Sequence, residues 1–374
     1  MEGIAVMRTE GRRHTMRALG VLLCWTGLGL AQDGQGPEPR RGQGQERSRR
    51  TQRVVPMKEV QVASPDGKVK FTLGSNPERV TYTVTLEDTV VIEPSGLDMR
   101  VDGYDLSSGV IFNNQEQVHI DETYPWHGAH STAVNRCHGT RVSLTHDLSQ
   151  MTYVLEIRAF NDGVAYRHVI AGDANAVRVP NEYSQFILPA GSTVWYHDLD
   201  GHYEAEYAEN DISDVKGGQW AGPPLTFQLP GGAGYGSITE AHQVNYAGMA
   251  LECDGRRGWV TGLGHRLNYP FELRYGRDEG RRLATPASVT GTITTPWRVV
   301  IAARDLNALV NSDIVPNLCP PVDPRLFPQG MKTPWCEPGL CVWNYVDRNY
   351  VQGGGGNSLE NMKRFSQMGG LIGA

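Results

Sequence analysis

An acidic stretch in the middle of the chain has the residue types that bind a hard metal ion. Residues 195–214 read WYHDLDGHYEAEYAENDISD, and seven carboxylates lie there among tyrosines and histidines: Asp198, Asp200, Glu204, Glu206, Glu209, Asp211 and Asp214. Oxygen-rich clusters of this kind suit Ca²⁺, which takes about six to eight oxygen ligands. The stretch is not an EF-hand loop, because Gly201 follows Asp198 by three residues instead of five. On spacing alone, a solvated acidic loop is the better interpretation.

A second group of metal-ligating residue types lies in the segment PWHGAHSTAVNRCHG. It contains four side chains that zinc can use, namely His127, His130, Cys137 and His138. Their spacing matches no common zinc pattern, so incidental placement in a loop is the favoured interpretation.

Other enzyme signatures are missing from the sequence, and one set of side chains suggests sugar binding. There is no Gly-x-Ser-x-Gly elbow, no P-loop and no Gly-x-Gly-x-x-Gly after a strand. Paired carboxylates for glycosidic chemistry cannot be identified from spacing, because the two usually come from different strands. Six aromatic residues are expected at the surface and could stack on sugar rings: Trp126, Trp195, Tyr196, Tyr203, Tyr207 and Trp220. Sandwich cores also use tryptophan and tyrosine, so this signal is weak.

Composition limits the class of protein. The chain has 374 residues and a net charge of −6, so it has no basic footprint and nucleic acid is not an expected partner. It contains 44 glycines and 22 prolines, which favours many turns over long helices. A chain of this length can bury a large core.

The N-terminus has the layout of an export signal. Basic residues up to Arg17 precede the apolar run ALGVLLCWTGLGLA, which ends in small residues at Ala31. This predicts a signal peptide over 1–31 with cleavage after Ala31, and a secreted or periplasmic protein. The run is shorter than the ~20 residues that a spanning helix needs, so no membrane span is expected after cleavage. Residues 32–53 contain no aliphatic or aromatic side chain, which predicts a disordered linker over 32–55.

Five cysteines remain after removal of the signal: Cys137, Cys253, Cys319, Cys336 and Cys341. An odd number argues against a full disulfide framework. Cys336 and Cys341 could form a disulfide in an oxidising compartment, and a pair of free, buried thiols fits the sequence equally well.

The segment 56–313 has the pattern of antiparallel strands. Apolar and polar residues alternate over 69–73 and 80–86, which predicts a hairpin with one buried face. The same alternation over 153–159 and 166–170, across the turn Asn161-Asp162-Gly163, predicts a second hairpin. Further strands are predicted at 185–188, 248–252, 258–262, 271–275, 288–294 and in WRVVIAA. Short strands with glycine- and proline-rich joints indicate a mainly β protein built on a large antiparallel β-sandwich.

The C-terminal part changes character. A short helical stretch ends near Asp313, and a proline-rich connector is predicted over 314–338. The segment 339–374 then predicts one strand–helix unit, CVWNYV followed by a helix capped by Asn357. An apolar stripe is expected on that helix: Leu359, Met362, Phe365, Met368, Leu371 and Ile372.

Several of these stretches together resemble glycoside hydrolase family 97. SPDGKVKFTL is similar to the family's opening strand, and EIRAFNDGVAYRHVI resembles one of its hairpins. TPWRVVIAARDLNALVNSDIVPNL resembles its join between domains. PGLCVWNYV with SLENMKRF resembles the first strand and helix of its catalytic barrel. The resemblance runs from about residue 60 to residue 374.

The resemblance implies a fold, an activity and a cofactor. Family members join an N-terminal β-super-sandwich to a catalytic (β/α)₈ barrel, and they are exported, Ca²⁺-dependent α-glucosidases and α-galactosidases. It also implies that Glu204 is a calcium ligand, with Glu206 as the second candidate. Their catalytic carboxylates lie on later barrel strands, and a barrel needs ~250 residues. The chain is therefore expected to be the N-terminal part of such an enzyme, with the barrel truncated after its first unit and no activity of its own. The 340–374 segment is expected to be poorly ordered or prone to aggregation.

The expected partner is an oligo- or polysaccharide substrate, and the sequence makes no prediction of oligomeric state. A second interpretation belongs to another class of protein. It is a stand-alone secreted β-sandwich that binds carbohydrate without catalysis.

Overall fold

The computed structural model describes residues 58–75, 78–199, 206–263, 288–330, 335, 339–342 and 358–373. The predicted signal peptide and linker therefore lie outside the described residues. The same holds for the predicted strand at 271–275 and for most of the predicted barrel strand CVWNYV. Among the described helices, none has the length and apolar character needed to cross a bilayer.

The described chain is mainly β, as the sequence predicts. In chain order its strands are β1 (Val60–Ala63), β2 (Val69–Ser75), β3 (Val80–Leu86), β4 (Thr89–Gly96), β5 (Met99–Val101), β6 (Tyr104–Asp105), β7 (Val110–Pro125), β8 (Thr132–His146), β9 (Met151–Phe160), β10 (Gly163–Ile170), β11 (Val177–Arg178), β12 (Asn181–Glu182), β13 (Gln185–Ile187), β14 (Thr193–Tyr196), β15 (Ala208–Asp211), β16 (Trp220–Ala221), β17 (Leu225–Gln228), β18 (Tyr235–Ala241), β19 (Met249–Cys253), β20 (Gly258–Leu263), β21 (Val289–Thr290), β22 (Ile293–Thr294) and β23 (Trp297–Ala303). The helices are α1 (Leu306–Val310), α2 (Ile314–Asn317) and α3 (Leu359–Ile372).

Two large antiparallel sheets form the body of the fold. One has the order β1-β2-β3-β4-β13-β20-β19-β16, and the other has the order β15-β14-β17-β18-β23-β10-β9-β8-β7, with β22 paired to β10. Two small sheets, β11-β21 and β12-β5-β6, accompany them, and isolated bridges join Arg79 to Ser108 and Asp198 to Ala221. The predicted hairpins are confirmed as β2–β3 and β9–β10. The predicted strand at 288–294 is divided into β21 and β22 by Gly291, whose φ is 79°.

The two large sheets pack face to face through aromatic contacts. The ring of Tyr166 on β10 lies 5.2 Å from that of Tyr82 on β3 and 6.0 Å from that of Phe71 on β2. Further along the interface, the ring of Tyr196 on β14 lies 5.4 Å from that of Trp259 on β20. These side chains belong to one continuous buried core. The antiparallel sandwich architecture is therefore confirmed.

The outer face of the second sheet is also covered at its centre. All seven residues of β23 are buried. Val300 and Ala302 face the core between the sheets, whereas Trp297, Val299 and Ile301 pack on the other side with α2. This division follows from the two-residue repeat of a strand. Helix α2 belongs to the predicted connector, and its Ile314 is buried against the sandwich.

A buried ion network joins three of the sheets. Arg298 on β23 donates from Nε and Nη2 to the two carboxylate oxygens of Glu182 on β12, at 2.8 and 2.6 Å. Its Nη1 donates to Glu240 on β18 at 2.6 Å, and the other oxygen of Glu240 accepts from the backbone N–H of Met249 on β19. The side chains of Arg298 and Glu182 are 1% and 0% exposed. Burial opposes ionisation of Glu182, but the charge of Arg298 outweighs it and lowers the pKa of that carboxyl.

Helix α3 differs from the prediction in its cap and in its buried face. The cap is Ser358, whose side chain accepts from the backbone N–H of Asn361, and the predicted cap Asn357 lies outside the described residues. Most of the predicted apolar stripe is exposed, with Leu359 at 73% and Leu371 at 87%. The buried residues are Asn361, Phe365 and Gly369. The physical reason is that the predicted stripe advances mainly in steps of three, which drift around the helix by about 60° each.

Candidate functional site

The acidic stretch forms the hairpin β14–β15 at the edge of the second large sheet. Trp195 pairs with Glu209 and Thr193 pairs with Asp211 in an antiparallel register. Of the acidic residues between these strands, the structure describes Asp198 and Glu206. Asp211 ends the second strand, and its side chain accepts from the backbone N–H of Ser213 at 2.8 Å to cap a short 3₁₀ turn.

The base of this hairpin loop is fixed by buried side chains. Leu199 packs with Trp220 and Ala250 in a small apolar cluster. His197 is buried, and its ring lies 5.3 Å from that of Tyr207 in an edge-to-face arrangement. The Asp198 carboxylate accepts from Gln219 Nε2 at 2.6 Å. The described ends of the loop are therefore held in place on the sheet.

Of the two predicted calcium ligands, the structure describes one. Glu206 is exposed just before β15, and Glu204 lies outside the described residues. In the described part of the chain, no group of three or more histidine, cysteine, aspartate or glutamate side chains is arranged to hold a metal ion. A carboxylate is the right donor for Ca²⁺, but the ion takes about six to eight oxygen ligands. The described residues alone therefore do not form a calcium site.

The second group of metal-ligating residue types is not brought together. Cys137 is buried in the apolar cluster under α2, and His138, the next residue on β8, points to the opposite face. His138 Nδ1 lies 3.2 Å from the carbonyl oxygen of Ala63. His130 Nε2 lies 2.7 Å from Asp313 Oδ1, and His127 is exposed. Cys137 and His138 therefore lie on strand β8 and not in a loop, and the four described side chains do not converge on one point.

The cysteines and aromatic residues are only partly placed as expected. Among the described cysteines, Cys137 and Cys253 are free and buried, and Cys319 and Cys341 are free and exposed. Cys341 therefore fits neither a disulfide with Cys336 nor a buried free thiol, and Cys336 lies outside the described residues.

Of the six aromatics expected at the surface, Tyr196 and Trp220 are buried core residues, Trp126 and Trp195 are half-buried, Tyr207 is exposed, and Tyr203 is not among the described residues.

A second candidate site lies at the far end of the long β7–β8 hairpin. Glu122 on β7 is directly opposite Asn135 on β8, and Tyr124 is opposite Ala133. Because side chains repeat every two residues, these residues share the sheet face that carries Cys137. Glu122, Tyr124 and Asn135 line a cavity together with the connector. This face is not predicted from the sequence, although Glu122, Tyr124 and Trp126 alternate along it.

The connector is fastened to this hairpin by a set of hydrogen bonds. Asp313 Oδ2 accepts from the backbone N–H of Val134 at 2.9 Å, while its Oδ1 lies beside His130. Asn317 Oδ1 accepts from the Tyr124 hydroxyl at 2.8 Å, and its Nδ2 donates to the carbonyl oxygen of Val134 at 2.9 Å. Burial is the main cause that raises the pKa of Tyr124 to about 12, so this hydroxyl stays a donor.

Replacing Asp313 by alanine is expected to lower the free energy of unfolding by about 1–3 kcal/mol, because two hydrogen-bonding partners lose their acceptor. Amide hydrogen exchange in residues 126–134 should accelerate at the same time. The matched control is Asp323→Ala, since Asp323 pairs with the exposed Arg325 two residues away. Its effect should stay within about 0.5 kcal/mol. Equal effects of the two variants in chemical denaturation would contradict this account of the fastening.

Comparison with known families identifies the chain. A family model described as "Glycosyl-hydrolase 97 N-terminal" matches residues 62–321. The chain belongs to glycoside hydrolase family 97. The family resemblance inferred from the sequence is therefore confirmed.

Two curated proteins are similar to this family-97 chain over part of their length. A probable retaining α-galactosidase of Streptomyces bingchenggensis is 25% identical over 285 residues, which is 75% of this chain and 39% of that protein. A retaining α-galactosidase of Bacteroides thetaiotaomicron is 24% identical over 308 residues, which is 77% of this chain and 44% of that protein. The chain thus spans less than half the length of these relatives.

Solved structures share the fold of the chain. A family-97 enzyme from a Pseudoalteromonas species in complex with panose has a TM-score of 0.69 at 22% identity, covering 84% of this chain and 46% of that one. A β-arabinopyranosidase has a TM-score of 0.61 at 18% identity, covering 71% of this chain and 43% of that one. At these identities the likeness concerns the fold.

Proposed function

We propose that this chain is the N-terminal part of an exported family-97 α-glycosidase of the α-galactosidase or α-glucosidase type. In full-length form, such an enzyme would hydrolyse terminal α-linked sugars of oligo- or polysaccharides. The observation that carries this proposal is the family match over residues 62–321. The names of the two α-galactosidase relatives support the reaction type.

The proposal assigns a different role to each part of the chain. Residues 1–31 would direct export, 32–55 would be a linker, 56–313 would form the sandwich, and 314–338 would connect it to the catalytic barrel. Residues 339–374 would begin that barrel. The catalytic carboxylates would lie on later barrel strands, so this chain alone would be inactive.

Hydrolysis assays test the proposal directly. The 374-residue protein should release no product from p-nitrophenyl α-galactoside or p-nitrophenyl α-glucoside above the uncatalysed rate. The encoding DNA, read for about 1,200 bases beyond the Ala374 codon, should continue in frame through strand–helix units that supply the missing carboxylates. Hydrolysis of one of the two substrates by the continued protein would support the proposal, and inactivity of that folded protein on both would contradict it.

A second candidate function is a secreted module that binds carbohydrate without catalysis. The cavity walled by Tyr124 and Trp126 favours it, because aromatic faces stack on sugar rings. A stop codon directly after Ala374, together with sugar binding by the chain, would favour this function over hydrolysis.

We also propose that Ca²⁺ is the cofactor of the full-length protein, with Glu204 as a ligand and Glu206 as the second candidate. Calorimetric titration of the 374-residue chain should give no Ca²⁺ binding tighter than about 1 mM, because a site needs several further oxygen ligands. In the protein that includes the barrel, Glu204→Gln should weaken Ca²⁺ binding by about tenfold or more. Glu206→Gln is the matched control and should leave the affinity nearly unchanged. The reverse order of the two effects would transfer the role to Glu206.

A further inference from the structure

Two histidines face each other across the β7–β8 hairpin. His119 on β7 lies directly opposite His138 on β8 in the antiparallel register. Residues in this relation share a face of the sheet and have Cβ atoms about 4.5–5.5 Å apart. The centroids of the two imidazole rings are 4.8 Å apart, and the ring planes make an angle of 77°. The strand pairing therefore brings together two nitrogen ligands that are not neighbours in the sequence.

The ring of His138 is oriented by the other large sheet. Its Nδ1 lies 3.2 Å from the carbonyl oxygen of Ala63 on β1. A carbonyl oxygen can only accept, so Nδ1 carries the proton of the hydrogen bond, and in the neutral ring Nε2 carries the lone pair. Histidines that bind metal ions almost always donate their other ring N–H in this way, which fixes the tautomer and the ring orientation. His138 therefore already has the hydrogen bond that supports a metal ligand.

Solvent can reach a ring nitrogen on both histidines. His119 is exposed and makes no hydrogen bond with any described residue. His138 is half-buried; its Nε2 also makes no hydrogen bond with a described residue, and this atom is not fully buried. An ion that approaches from solvent can therefore reach a lone pair on each ring.

The spacing of the two rings fits a shared metal ion. Bonds from zinc to an imidazole nitrogen are about 2.0–2.1 Å long, so two rings that bind one ion at roughly 95–110° have centroids roughly 5 Å apart. The observed separation is 4.8 Å. The two histidines would occupy two positions around the ion, and water would occupy the others.

The side chains beside the pair do not oppose a cation. Two residues further along both strands, Arg136 lies opposite Asp121, and its Nε donates to Asp121 Oδ1 at 3.0 Å. The charge of this guanidinium is therefore balanced by its partner. Two residues in the other direction, Gln117 lies opposite Thr140, and both side chains are uncharged.

The type of donor selects the class of ion. Imidazole nitrogen suits Zn²⁺, Ni²⁺ and Cu²⁺, whereas Ca²⁺ and Mg²⁺ prefer oxygen ligands. We propose that His119 and His138 together bind one divalent transition-metal ion of the Zn²⁺, Ni²⁺ and Cu²⁺ class. Because β7 is the edge strand of its sheet, the bound ion would fasten that edge to β8. The site goes beyond the proposed hydrolysis and the proposed calcium site, since it uses neither barrel residues nor the acidic hairpin.

Calorimetric titration of the 374-residue protein with Ni²⁺ tests the proposal. The exposed thiols of Cys319 and Cys341 are first alkylated with iodoacetamide, because thiolates also bind transition metals. His119→Gln should weaken Ni²⁺ binding by about 100-fold, because a second ligand on the same scaffold raises an affinity by about 10²–10⁴. The matched control is His127→Gln, which removes an exposed histidine from the hairpin loop, outside the paired strands, and should leave the affinity unchanged.

Chemical modification then locates the ion. Diethyl pyrocarbonate acylates imidazole nitrogens that have a free lone pair, and mass spectrometry of the peptides follows each histidine separately. Saturating Ni²⁺ should slow the modification of His119 and His138 severalfold and leave that of His127 unchanged. Ca²⁺ at the same concentration should protect none of the three, because it prefers oxygen ligands.

Two results would overturn the proposal. One is equal Ni²⁺ affinity, or equal absence of binding, in the wild type and a folded His119→Gln protein. The other is unchanged modification of His119 or His138 in the presence of saturating Ni²⁺. If His119→Gln fails to fold, the modification experiment on the wild type still decides the question. Neither result bears on hydrolysis or Ca²⁺ binding by the continued protein, so the proposals fail independently.

Discussion

Replacing Arg298 by methionine lowers the free energy of unfolding by about 3–5 kcal/mol, the largest effect expected from a single charge-removing substitution here. The guanidinium is 1% exposed and is the partner of two carboxylates on different strands. Methionine fills similar space, so the loss comes mainly from leaving Glu182 buried without a counter-charge. In the folded variant, Glu182 is either charged without a partner or protonated, and both states lower the free energy of unfolding.

The control for this variant is Arg304→Met. Arg304 also pairs with a glutamate, Glu87, but its side chain is 47% exposed. An exposed ion pair contributes about 0–1 kcal/mol, so this variant should unfold almost like the wild type in urea. A cost for Arg298→Met below about 1 kcal/mol would contradict the buried-network interpretation.

A double variant distinguishes the effect of an unpaired buried carboxylate from the effect of lost side-chain packing. Adding Glu182→Gln to Arg298→Met removes the uncompensated carboxylate and should recover part of the lost stability. The side chain of Glu240 is 14% exposed and also accepts a hydrogen bond from the backbone N–H of Met249, so it needs no replacement. An additive cost of the two substitutions would mean that Arg298 acts through packing instead of charge.

The parts of the fold predicted from the sequence are those with a local two-residue repeat. The hairpins β2–β3 and β9–β10 have one strongly apolar face, and the strand WRVVIAA is apolar except for Arg298 because both of its faces are covered. Strand β7 was missed, although it is 16 residues long, because its side chains are largely exposed on both faces. An edge strand without a buried face gives no periodic signal.

The sites were harder to predict because they join distant segments. Arg298 is a charge inside an apolar strand, which signals a buried partner, but Glu182 lies 116 residues away in the sequence. The cavity likewise joins Tyr124 to Asn317, which are 193 residues apart. Composition and spacing report neighbours along the chain. They do not show which strands contact a connector that lies far away in the sequence.

Acidification provides the second large expected effect, through His168 on β10. Burial lowers the pKa of this imidazole from 6.5 to about 4, and the nearby charges of Glu182 and Arg298 act on it in opposite directions. The unfolded chain therefore binds a proton at higher pH than the folded chain does. The contribution of His168 to stability is fully present above pH 6.5 and is lost progressively as the pH falls towards 4.

The size of this effect follows from linkage and can be isolated by a difference measurement. Between pH 7.5 and pH 4, the wild type should lose about 3 kcal/mol more unfolding free energy than His168→Gln, which has no imidazole to protonate. Carboxylates such as Glu182 titrate in both proteins and cancel in the difference. A flat difference for His168→Gln would mean that folding does not change the pKa of His168, and hence that the sandwich core admits a charge at β10.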